Sequence, residues 1–143
     1  MPKVRCVSYV DEFSAEKSCL RDLEIGLENQ VVGCNSKTFG SSQKGDFVII
    51  CARHAGRLFV CIGEIDEAVK TSVWADQGGV RWQYNFRFTP LTKIVEVDKE
   101  KKERIKEMCD MYEVNPNMMF NMRFCGERYL PIIHWCIRDG IFE

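Results

Sequence analysis

The sequence predicts an α+β domain, and three observations lead there. Two apolar, β-rich runs at 45–53 and 57–65 flank a short Ala55-Gly56 turn. A third run at 80–88 alternates large apolar with polar side chains, and segments with helical spacing stand on both sides of this β-rich centre. A length of 143 residues accommodates a single core.

Residues 3–10 alternate polar and apolar side chains with β-branched members, the period of a half-buried strand. Ser14 can cap a helix running to about residue 25, with Phe13 before the cap, Cys19, Leu20 and Leu23 on one face, and Gly26 placed to stop it. The stretch 33–45 is the most glycine-, serine- and otherwise polar-rich in the chain and reads as an exposed loop able to carry function. The runs 45–53 and 57–65 then read as a hairpin, and their near-continuous apolarity makes both strands central. In 80–88, Val80, Trp82, Tyr84, Phe86 and Phe88 share one face and Arg81, Gln83, Asn85 and Arg87 the other. Pro90 ends or bends that strand, and 91–97 reads as a further β segment. Asp98 can cap a helix to about Tyr112, with Ile105, Met108, Cys109 and Tyr112 at core spacing. Its Lys99 to Lys102 end, interleaved with Glu100, Glu103 and Glu107, reads as a solvated helix face. Pro131 and Gly140 bracket a last helix through Arg138.

Composition limits the function classes. Apolar residues at 45%, charged at 29% and a formal net charge of −1 describe a globular chain that does not hold polyanions by bulk charge. Divided by segment, the charge is uneven: residues 34–93 carry eight Lys or Arg against five acids, while each flank is at −2. The eight cysteines occur singly, without CxxC or Cys/His ligand spacing, and most sit beside apolar residues. They are expected to be reduced core thiols in an intracellular protein, cytoplasmic or associated with nucleic acid. The amino terminus carries no long apolar stretch, and no run approaches the ~18 apolar residues of a membrane span.

Enzyme readings find little material. His54 lies at the hairpin turn and His134 beside Trp135, too few histidines for an evident nucleophile–base pair. Glu64, Asp66 and Glu67 could hold a metal, but they read more simply as a strand end turning into solvent. No P-loop, dinucleotide glycine pattern or nucleophile elbow is present. Binding has more support, because arginines interleaved with aromatics on a sheet suit a polyanion whose bases can stack. Phe86 and Phe88 read as core. Trp74, in a polar segment outside any apolar period, reads as a binding surface or lid.

The order strand, helix, Gly33-Cys34-Asn35-Ser36 loop, Lys44-Gly45-Asp46-Phe47-Val48-Ile49 strand, Cys61-Ile62-Gly63-Glu64-Ile65 strand, loop tryptophan and Phe86-Arg87-Phe88-Thr89-Pro90-Leu91 resembles the PUA-like superfamily. Its EVE and YTH branch is the most similar, over about residues 28–97. The resemblance departs at Cys61, where the family pattern carries a glycine, and at Tyr9, where the first strand usually carries a tryptophan. It implies a small twisted mixed β-barrel flanked by helices, in a domain spanning 1–97; residues 98–143 have no counterpart in the family pattern and read from their own helical spacing as a helical C-terminal extension packed on it. The resemblance further implies a non-catalytic module that holds a modified or flipped base of DNA or RNA in an aromatic pocket. Asn35 and Ser36 would then contact the base edge, Trp74, Trp82 and Tyr84 would wall the pocket, and Lys37, Arg53 and Arg57 would take phosphates. Neither cofactor, metal nor catalytic residue is expected. Two other readings stand beside this one. The first is a protein-interaction or inhibitor domain docking through 114–143, with Met118, Met119, Phe120 and Trp135. The second is a hydrolytic relative using Lys44 and Glu64.

Overall fold

The computed structural model describes residues 2–9, 19–34, 36–70, 83–115 and 127–139. Six strands and four α-helices are formed there: β1 (Val4–Tyr9), α1 (Cys19–Asn29), β2 (Val31–Cys34), α2 (Lys37–Gly40), β3 (Phe47–His54), β4 (Arg57–Val69), β5 (Tyr84–Pro90), β6 (Val95–Glu96), α3 (Lys99–Met111) and α4 (Leu130–Arg138), the last preceded by a 3₁₀ turn at Glu127–Tyr129. The strands make one mixed sheet in the order β1-β3-β4-β5-β2, with β1 parallel to β3 and the other pairs antiparallel. The sheet curls into a half-barrel.

β4 organises the sheet because it is long enough to serve two partners on one edge. β5 pairs with its C-terminal part from Gly63 to Val69, and β6 with Phe59 and Val60. The acidic stretch expected to turn into solvent therefore stays in the strand. A register shift between Ile65 and Ala68 absorbs Asp66 and Glu67, which keep their charges outward on Lys44 and Arg87.

Both faces of the central hairpin are buried, which is why its runs are nearly continuous in apolar residues. On the inner face Val48, Ile50, Ala52, Cys61 and Ile65 meet Phe86 and Phe88 of β5, Val7 and Tyr9 of β1, and Leu23 and Ile25 of α1. On the outer face Ile49, Cys51, Leu58, Val60 and Ile62 meet Ile105 and Cys109 of α3 and Ile132, Ile133 and Cys136 of α4. Asp98 caps α3 by accepting the Lys101 amide at 2.9 Å.

Five further sequence expectations are corrected. α1 runs through the buried Gly26 to Asn29 and ends where Gln30 takes a left-handed φ of 55°; adding Leu27 to the inner core outweighs glycine's preference to stop. Segment 33–45 is not simply an exposed loop, because β2 includes Gly33 and Cys34 and α2 buries Phe39. Of 91–97 only the two residues of β6 pair as strand, and Tyr112 is 46% exposed instead of in the core. Cys6 is disulfide-bonded, whereas Cys34, Cys51, Cys61, Cys109 and Cys136 are free.

Candidate base-binding site

The half-barrel is joined across its open side by a side chain. β1 and β2 are the two ends of the strand order. The Tyr9 hydroxyl, on a residue only 2% exposed, donates to the Gly33 carbonyl at 3.2 Å and accepts the Gly33 amide at 3.3 Å. Register explains why Gly33 is available. Phe88 donates to the Gln30 carbonyl, so alternate residues of β2 bond to β5 and the peptide groups of Gly33 point to the other edge. Tyr9 stands opposite Ala52 and, through it, Phe59; Gly33 stands opposite Asn85 and, through it, Val69, ten residues further along β4. Contact across so large an offset requires strongly tilted, coiled strands.

α2 fills the space beside this junction. Phe39 enters the inner core and meets Phe86 edge to face at 5.3 Å. A Cβ on Gly40 would lie 2.6 Å from Tyr84 Cδ1 and Cε1, so the tyrosine ring packs directly against bare backbone. That contact covers part of Tyr84 and leaves its side chain half-buried at the start of β5, opposite Cys34. Ser36 and Lys37 follow in sequence, both exposed, and Lys37 has no ion-pair partner among the described residues.

A buried polar network holds α2 and the turn before β3. The Asp46 carboxylate, 4% exposed, accepts the amides of Lys3 at 3.0 Å and Gln43 at 2.9 Å and the Arg5 guanidinium at 3.2 Å. Arg5 also donates to the Thr38 carbonyl at 3.0 Å and the Ser41 hydroxyl at 3.2 Å. The glycines and the aspartate of segments 44–49 and 61–65 thus have structural work to do. Gly45 supplies a φ of 95°, Asp46 ties the turn to β1, and Gly63 lies so close to Phe88 that a Cβ would meet both its ring and the Thr89 carbonyl.

The basic candidates separate by their partners. Arg57 donates to Glu96 through Nε at 2.7 Å in a bidentate pair and lies over the Phe59 ring at 5.4 Å. The hydrogen bond and charge of Glu96 raise the Arg57 pKa, and Arg57 in turn lowers that of Glu96, so this cation is already neutralised. Arg53, at the end of β3, is exposed and has no ion-pair partner among the described residues.

Of the expected site residues, Asn35, Trp74 and Trp82 lie outside the described residues. Ser36, Lys37 and Tyr84 come together at the β2–α2 corner; Arg53 and Arg57 belong to the β3–β4 hairpin. Sequence reasoning missed Gly40 and Tyr9 as positioning residues. The signal for Tyr9 was its shared parity with the inward Val7; Gly40 carried none beyond following an aromatic in a polar stretch.

Burial decides what the thiols can do. It pushes Cys61 up to about 11, Cys109 to about 11, Cys136 to about 12 and Cys51 higher still. These sulfurs stay protonated at neutral pH and are poor nucleophiles. Among the described residues, no three His, Cys, Asp or Glu gather as a metal site would need, and no helix is long and apolar enough to cross a membrane. Comparison with protein-family models, with curated proteins and with solved structures finds no match for this chain.

Proposed function

We propose that the chain is a non-catalytic module that binds a single nucleotide of DNA or RNA, flipped or single-stranded and carrying a modified base, at the β2–α2 corner of a PUA-like half-barrel. The observation that carries the reading is the half-buried Tyr84 ring, packed against Gly40 and opposite Cys34, with exposed Ser36 and Lys37 two and three residues on from Cys34 and Lys37 without an ion-pair partner among the described residues. An aromatic face, a hydroxyl and a cation within one corner supply stacking, a base-edge hydrogen bond and a phosphate contact. Extruding a base costs a few kcal/mol, and stacking worth ~1–3 kcal/mol per base can offset it. Arg53, on the β3–β4 hairpin and without an ion-pair partner among the described residues, would serve a phosphate of a neighbouring nucleotide, whereas Arg57 is committed to Glu96. Asn35, Trp74 and Trp82, the other base contacts the resemblance implies, lie outside the described residues, and mutation tests their part in binding.

Fluorescence titration of short single-stranded oligonucleotides, modified and unmodified, tests it. Wild type binds the modified strand more tightly, and Tyr84→Ala and Trp74→Ala each weaken binding by tenfold or more. Equal, negligible binding of every strand by wild type and variants overturns the proposal. The competing docking role for the tail cannot be tested by deleting 114–143, because Ile132, Ile133 and Cys136 belong to the outer core and their loss would expose it.

A further inference from the structure

We draw no further inference here: the strongest candidate, the exposed apolar patch of Met111 and Tyr112 at the C-terminal end of α3, is a surface with nothing in the structure to show what covers it.

Discussion

Asp46 is the residue whose loss the fold should feel most sharply among its polar groups. Its carboxylate takes three hydrogen bonds, from the Lys3 amide, the Gln43 amide and the Arg5 guanidinium, and its backbone carbonyl takes a fourth from Ile65 at 2.7 Å. Asp46→Ala keeps only the last. It leaves Arg5, whose side chain is 11% exposed, with a charge answered only by the Thr38 and Ser41 oxygens. Breaking a buried ion pair from one side costs about 3–5 kcal/mol. Partial access of water to Arg5 and the exposed position of Lys3 put this case at the lower end, ~3 kcal/mol. For a chain of this size that corresponds to a fall in Tm of roughly 10 °C. Asp46→Asn retains the shape and one acceptor oxygen and should lose about half as much. Urea unfolding followed by circular dichroism, on Asp46→Ala, Arg5→Met and the double variant, measures the effect. The double variant should be more stable than additivity predicts by at least ~1 kcal/mol, since Arg5→Met removes the stranded charge. A single-variant loss below ~0.5 kcal/mol, or strict additivity, would refute the network as drawn.

Four further outcomes can be measured. Gly40→Ala forces the Tyr84 ring from its seat and should cost ~1–3 kcal/mol in stability, with oligonucleotide affinity falling alongside; a neutral variant would show that the ring is not seated there. Ala55 takes a φ of 51° in the β3–β4 turn, so Ala55→Gly or Ala55→Asn should stabilise by about 0.5–1 kcal/mol in chemical denaturation. Burial raises the thiol pKa values of Cys51, Cys61 and Cys136 in the folded state from 9.0, so their stabilisation is complete below pH 9 and is lost as pH rises, when the unfolded chain sheds protons first. Under reducing conditions, unfolding free energy should decline between pH 9 and 11 by up to ~1.4 kcal/mol per pH unit for each such thiol, and a flat profile would contradict their burial. If Lys37 and Arg53 contact phosphate and Arg57 does not, the slope of log K against log salt for a single strand should be about −1.4, against about −2.1 for three contacts.

The hairpin, the cap at Asp98 and the last helix were legible because each is a local signal. A turn, an N-cap and a proline act within a few residues of themselves. What was not legible depended on partners distant in sequence. Nothing near Glu64, Asp66 and Glu67 announces that β5 will continue to pair there, since the acids point outward and the bulge between Ile65 and Ala68 is set by the opposing strand. Gly26 looked like a stop, yet the inner core it faces belongs to other strands, and Leu27 gains more there than the helix loses to glycine. At the candidate site, residue types were readable but their grouping was not. Arg53 and Arg57 look equivalent in sequence, and only the pairing of β6 with β4, which sets Glu96 opposite Phe59, tells them apart. Polar composition likewise hid Phe39, one aromatic among serines and lysines that becomes the filling of the inner core.

The same logic explains why the β2–α2 corner presents exposed polar side chains. In a closed barrel every strand edge is paired, and side chains fill the interior. Here β1 is anchored on β3 and β2 on β5, so the curl brings their free edges together only at an offset of ten residues, met by the Tyr9 hydroxyl on Gly33. A four-residue helix then seals the interior, driving Phe39 inward and leaving Ser36 and Lys37 outward on the adjoining turn. The Arg5–Asp46 network holds that helix from the β1 side, and Tyr84 holds it from the β5 side. Loosening either support should therefore disturb the corner before the central hairpin, whose two faces are packed by separate clusters. Hydrogen exchange distinguishes the cases: in Arg5→Met the amides of Gly40 and Ser42 should lose protection while those of Ile49 to Cys51 keep it, and uniform loss would mean that the corner and the hairpin open as one unit.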